Sequence, residues 1–390
     1  MNSVDTREFR IGEGRISGAI SLFFGIASLI GVLCFRYSGW FSIPTLRANY
    51  NLDLLRNVLF LAILISIIMA GLSFALNRRG LMWIVGVVAS GTAVSMGGAE
   101  ASRLTNSEAA LPIGLDWFVL DLLISAGIFI PLERIWAKKP QRILRPEWST
   151  DLTYFAITHL LVQLVILVTT VFATKHLSGF IFGSKEWLRS LPFAVQVALA
   201  VFVADFCQYW SHRLYHRVSF LWGFHAVHHS APHMDWLAGS RQHILELLAT
   251  RMFVFIPVFL LGFSPEAIYI YVGFVGVQAV FVHTNINWNF GLLRYVFVTP
   301  QYHHWHHSDN REYMDKNYAV HLPILDMMFG TFLLPKNEWP ETYGVLGPDL
   351  PKGLIKQHMY PFNRDRSATG ENATPDLGDE NSDDASQAEA

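Results

Sequence analysis

The sequence predicts an all-α fold, a polytopic integral membrane helical bundle. Composition, apolar run length and the placement of positive charge all point to it. Of 390 residues, 52% are hydrophobic and only 15% are charged, and the mean hydropathy is +0.31. A soluble domain carries about a quarter charged residues. The apolar residues are gathered into runs long enough to cross a bilayer, which needs about 20 residues per helix. The formal net charge of −2 gives no general basic field, so no nucleic-acid partner is expected. Cys34 and Cys207 both sit in apolar runs and supply neither a disulfide framework nor a CxxC knuckle.

Six runs read as spans: 16–35, 54–76, 81–99, 113–133, 151–174 and 190–211. The first is too long for the h-region of a cleavable signal and has no small-residue cleavage site, so it is taken as a helix. The loop at 134–150 carries Arg134, Lys138, Lys139, Arg142 and Arg145, which the positive-inside rule assigns to the cytoplasm. Alternation then places two further positive clusters on the same side: Arg7, Arg10 and Arg15 near the N-terminus, and the turn at Arg78–Arg79. The residues after Ser211 follow them. A further apolar stretch from Met252 to Val282 is broken at Gly262–Pro265. Its first limb, taken from Met252, has about ten residues and reaches about half a bilayer. It reads as a hairpin that dips in and returns to the same face.

Four units follow in order. Residues 1–110 are expected to form a transmembrane module without chemical motifs, and 111–335 a second helical domain. Residues 336–363 are a C-terminal cytoplasmic segment, and 364–390 an acidic tail. The tail has no aromatic residue and a single leucine, a composition that does not offset the entropy of ordering.

Histidine carries the chemistry. There are 16, and 13 of them lie between His212 and His321. They fall into three boxes: His212 and His216; His225, His228 and His229; and His303, His306 and His307. Positions i, i+3 and i+4 are neighbours on a helix, about 5–6 Å apart at Cβ, so the rings within a box are expected to converge on one ion. His304 points about 100° away from His303 and is left out. Eight histidines exceed the three or four that a zinc site takes. Imidazole suits iron, zinc, copper and nickel alike, so ligand type alone does not choose the metal.

Other residues join as candidates. His283, in HTNIN, is read as a ligand, with Asn287 one turn on as an outer or water-mediated partner. His243, in RQHILE ahead of Glu246, is either a ligand or an outer group. Asp205 shares a helical stripe with Tyr209, His212 and His216 and is placed to accept a ring N–H, or else pairs near the helix end. His159, His176 and His358 read as interfacial or hydrogen-bonded residues. Asp121, inside the fourth span, has no partner visible in the sequence.

The order and spacing of the boxes resemble the fatty acid hydroxylase/sterol desaturase superfamily of membrane di-iron enzymes. RPEWSTDLTYF at 145–155 is similar to the start of that family's helical domain, TPQYHHWHHS at 299–308 to its third box, and LDMMFGTF at 325–332 to its C-terminal signature. The similarity covers about Asp116 to Leu334. It implies two iron ions and O2 as co-substrate. It also implies hydroxylation, desaturation or ether cleavage of a lipid (sterol, fatty acyl or alkylglycerol). Electrons would come from an external donor such as a reductase, cytochrome b5 or ferredoxin. Three alternatives stand beside it. A zinc-dependent membrane hydrolase would usually show HExxH, which is not found in this sequence. A bis-histidine haem protein would place single histidines deep in facing spans. A metal transporter or sensor would hold its ligands near the bilayer midplane.

Overall fold

A computed structural model describes residues 12–42, 47, 50–78, 80–102, 114–176, 185–336, 338–347 and 349–363. The acidic tail, Arg7, Arg10 and Arg79 lie outside the described residues. Eleven helices carry the description: α1 Arg15–Arg36, α2 Leu52–Leu76, α3 Leu81–Ser95, α4 Leu115–Ile135, α5 Trp148–His176, α6 Phe193–Arg217, α7 Ser219–His229, α8 Ile244–Leu261, α9 Pro265–Phe281, α10 Pro300–His306 and α11 Leu354–Asn363. Short helical turns join them. Among the described residues β-structure is limited to two isolated bridges, Ala137 with Ile286 and Ser308 with Tyr343. The chain is a polytopic, all-helical membrane protein. Among the described residues five helices, α1, α2, α4, α6 and α8, are long and apolar enough to cross a bilayer. Large apolar side chains such as Phe60, Ile68 and Ile128 stand exposed on their outer faces. Lipid, not water, is the solvent that suits such a surface.

Helices α1, α2 and α3 pack on one another through small residues. A Cβ on Gly86 of α3 would lie 2.2 Å from Ser21 Oγ of α1, so only glycine admits this approach. Serines tie the seam where no water reaches: Ser90 Oγ donates to Ser66 Oγ (2.6 Å) and Ser66 Oγ to the Ser21 carbonyl (2.8 Å). Helix α3 is shorter than the run 81–99 suggested. It stops at Ser95, because Gly97 and Gly98 take positive φ values of 108° and 53°.

The helices from α4 onward form the second part. Pro265, at the first turn of α9 behind the Ser264 cap, starts the returning limb of the hairpin, and Gly262 (φ 78°) ends the outgoing one. The outgoing limb corrects the sequence expectation. It begins at Ile244 and has 18 residues, about 27 Å at 1.5 Å per residue, where a limb from Met252 was expected to reach half as far. Glu246 and Arg251 interrupt the apolar run in the sequence, but they lie inside the helix. The hairpin does return, so the histidines before α8 and after α9 meet at one end of the bundle. The charged loop after α4 lies at that same end: Gln141 Nε2 donates to the Met234 carbonyl (2.9 Å) and the Lys138 N–H to the Asn285 carbonyl (3.0 Å).

Candidate metal centre

The last three to four turns of α6 have two faces. Asp205, Tyr209 and His212 are buried, while Phe206, Trp210 and Leu214 are exposed. Helix α7 follows after one extended residue, Val218, and is buried from Gly223 to His229. Helix α10 is only seven residues long and is held by its first turn. Thr299 Oγ1 accepts from the Tyr302 N–H (3.4 Å), and Pro300 sets the opening φ. His283 sits in the turn after α9, its Nδ1–H donating to the Ala279 carbonyl (2.8 Å).

These elements bring nine histidines into two adjoining groups. His212, His216, His225, His229 and His306 form one, and His228, His283, His303 and His307 the other. Within each group the nearest ring nitrogens all lie within 4.8 Å of one another. The division corrects the expectation that each box converges on one ion. The pairs at i and i+4 (225/229 and 303/307) stay together, while the third member of each box, His228 or His306, crosses to the other group. Two boxes therefore each serve both groups, which is why consecutive histidines are useful there. Across the boundary the His229 and His307 rings stand 4.5 Å apart.

The hydrogen bonds behind the rings fix their tautomers. Nδ1–H donates to a main-chain carbonyl in His212 (Tyr318, 2.7 Å), His228 (Arg241, 2.9 Å), His283 and His306 (Lys316, 2.8 Å). In His225 it donates to Glu246 Oε1 (2.6 Å). A neutral imidazole has one N–H, so Nε2 of these five carries a lone pair. Yet Nε2 of His212 and His225 lie 3.0 Å apart, and those of His228 and His283 3.4 Å apart. Lone pairs at these distances repel one another, and no hydrogen bond can form between them. Nε2 of His216 and of His306 is buried with no partner. This donor set fits cations held between the rings, with the carbonyls and Glu246 as the outer partners that orient the ligands.

The family model for fatty acid hydroxylase matches residues 197–331, which contain all nine histidines. Ornithine lipid hydroxylase OlsE of Rhizobium tropici is 30% identical over 259 residues, 64% of this chain and 76% of that protein. The chain belongs to the fatty acid hydroxylase family. Alkylglycerol monooxygenase of Homo sapiens is 36% identical over 129 residues, 33% of this chain but only 28% of that protein. Very-long-chain aldehyde decarbonylase GL1-10 of Oryza sativa subsp. japonica is 26% identical over 143 residues, 35% of this chain and 46% of that protein. No solved structure matches the chain.

Within this member of the family, three sequence candidates stand elsewhere. Asp205 does not receive a ring N–H; its carboxylate accepts the main-chain N–H groups of Val320 (3.0 Å), His321 (3.1 Å) and Leu322 (2.7 Å) and so caps the loop that presents Tyr318. Asn287 is exposed, and its N–H donates to the Trp136 carbonyl (2.8 Å). Helix α9 ends at Phe281, so the one-turn spacing from His283 does not apply. His243 belongs to neither group. It caps α8 by accepting the Leu245 N–H at Nδ1 (3.1 Å), and its Nε2–H donates to the His358 carbonyl (3.0 Å). His304 is also outside, held by the Tyr343 hydroxyl (2.9 Å) and the His283 carbonyl (3.3 Å). Asp121 has its partner in His159, across α4 and α5. Glu246 is the outer carboxylate that sequence reasoning overlooked, and its one signal was an acidic residue in the first turn of an apolar helix.

Burial keeps these rings neutral. It pushes His225 down to about 3, and His228 to about 4 with the neighbouring His225 adding to the effect. His229, His283, His303, His306 and His307 are pushed well below the ordinary range, first by burial and then by one another. The ordinary imidazole value is about 6.5. Below it the unfolded chain binds protons that the folded site refuses, so stability present above pH ~6.5 is lost as the pH falls toward ~4. Thermal unfolding of detergent-solubilised protein should show a midpoint that is flat from pH 8 to 7 and drops steadily from pH 6.5 to 5. A midpoint unchanged down to pH 5 would contradict neutral, buried imidazoles.

Proposed function

We propose that this chain is a multi-pass membrane oxidoreductase that hydroxylates or desaturates a membrane lipid, using two iron ions, O2 and two electrons from a separate donor protein. The observation that carries the reading is the pair of histidine groups whose Nε2 lone pairs face each other. His212, His216, His225, His229 and His306 would hold one ion, and His228, His283, His303 and His307 the other. Nine ligands in two groups exceed the three or four of a single zinc. The names of the relatives, for ornithine lipid, alkylglycerol and very-long-chain aldehyde, support a lipid substrate.

When bound, the iron pair supplies O2 activation and attack on an unactivated C–H bond. The protein's own share is positional. Glu246 and the four carbonyls keep Nε2 free of protons and aimed inward. The burial of α7 and α10 keeps bulk water from the rings. The positive loop after α4, packed at the histidine end of the bundle, supports a cytoplasmic location for the site.

Metal analysis of purified protein tests this reading. About two irons per chain together with O2-dependent turnover supports it; a single tightly held zinc without iron overturns it. His228→Ala or His306→Ala should abolish turnover and lower iron content while membrane insertion persists. His304→Ala should be milder, since that ring is bonded to Tyr343 and the His283 carbonyl. Equal loss at His304 and His306 would refute the division. Lipidomics of a deletion strain should show a lipid shifted by one oxygen or two hydrogens.

A further inference from the structure

The outward face of α6 borders a groove of about 570 Å3. Trp210, Arg213, Leu214 and Arg217 of α6 line it, with Leu221 of α7 and Phe253 of α8 opposite. Its size falls in the range that takes a small molecule, and its surface is mostly apolar. Tyr215 also lines it and is buried. The Tyr215 ring stacks on His225 with centroids 5.8 Å apart. One side-chain thickness therefore separates the groove from the five-histidine group.

The charges of the groove have one sign. Arg213 is positioned by its own surroundings: Nη1 donates to the Tyr209 hydroxyl (3.0 Å), and the guanidinium lies over the Trp210 ring, 5.6 Å from its centroid. That hydrogen bond uses one of five guanidinium donors. Arg217 has a carboxylate oxygen of Asp315 at 3.9 Å, with the arginine side chain 53% and the aspartate side chain 36% exposed, a long, partly solvated geometry worth little. Among the described residues no acidic one lines the groove. Arg217 is the last residue of a 25-residue helix apolar enough to cross a bilayer. Arg213 lies one turn inside it, about 6 Å along the axis. Both cations therefore stand at the level of lipid headgroups, with apolar side chains beside them.

We propose that this groove docks a single lipid with an anionic headgroup. Arg213 and Arg217 hold its carboxylate or phosphate oxygens, and its chain lies along Leu214, Leu221 and Phe253. Paired guanidiniums suit such oxygens because each presents parallel N–H donors. The proposal rests on the lipid reading above for the docked molecule's being the substrate, but binding can be read without turnover.

The probes are lipids with dibrominated chains, added in mixed micelles to the metal-loaded, full-length protein. They are phosphatidylglycerol (phosphate), an N-acyl amino acid (carboxylate) and diacylglycerol (neutral). The signal is the tryptophan quenching lost in Trp210→Phe. At least one anionic lipid should half-quench at about tenfold lower mole fraction than diacylglycerol, and the order of the two anionic arms names the headgroup. The double change Arg213→Gln/Arg217→Gln should erase that preference. Arg217→Gln alone, at an exposed position, should lower it without disturbing the fold. Arg213→Lys should retain part of it. Equal quenching by diacylglycerol, or no Trp210-dependent quenching, overturns the proposal. Preference without turnover on any lipid would sink the oxygenase reading and leave the docking site standing.

Discussion

Replacing Gly239 by alanine is expected to strip the four-histidine group of the ion proposed for it. Gly239 lies in a 3-10 turn, Ala238–Ser240. It is not among the glycines with positive φ, so an alanine backbone suits the turn. The obstacle is the site itself. A Cβ there would stand 2.4 Å from His283 Nδ1, 2.8 Å from Cγ and 2.9 Å from Cε1. The imidazole would have to retreat by about an ångström, and close-packed interiors do not yield that distance cheaply. Retreat breaks the Nδ1–H bond to the Ala279 carbonyl and withdraws Nε2 from His303, now 3.0 Å away. Iron should fall from about two toward one per chain, and turnover by about 100-fold. His283→Ala should do the same, and the double variant should be no worse than either, because both changes remove one ligand. Two irons retained in Gly239→Ala would show that His283 is not held where the turn puts it.

The histidine set was legible because its information is local. Spacings of three and four residues on short helices declared which rings share a side, and His283 was reached through the hairpin that returns the chain. The division into two groups was not legible, since it depends on how α6, α7 and α10 approach in space. Asp205 and Asn287 were misjudged for related reasons. Helical phasing showed which stripe Asp205 occupies but not that the loop at 320–322 would come to meet it. The same phasing was carried past Phe281, where the helix ends. His243 sits beside Glu246 in sequence, yet as a cap its ring turns away while Glu246, three residues on, reaches His225. The partner of Asp121 is 38 residues along the chain, and no local pattern announces it.

Arg241 carries the second large effect, and it acts through structure, not as a ligand. Arg145, Arg241, Asp151 and Asp235 are nearly inaccessible to solvent. Arg145 forks onto Asp235 through two bonds of 2.6 Å and reaches Asp151 at 2.7 Å. Arg241 bonds Asp151 and, at 2.8 Å, Glu147. The network ties the start of α5 to the segment between α7 and α8, and that segment holds the site from behind. The Arg241 carbonyl receives His228 Nδ1–H, and Asp235 Oδ1 accepts the N–H groups of Leu237 (3.1 Å) and Ala238 (3.0 Å), fixing the turn that carries Gly239. Arg241→Met removes one cation and leaves Asp151 and Glu147 short of compensation in a buried place. Breaking such a pair costs about 3–5 kcal/mol, whereas removing both partners is often close to neutral. The unfolding midpoint of Arg241→Met should therefore fall steeply, with iron lost in the same transition. Asp151→Asn introduced into that variant should recover part of the loss. If the single variant unfolded like the parent, or the double variant were simply additive, the buried charges would not be coupled and their hold on His228 and Gly239 would have to be sought in packing alone.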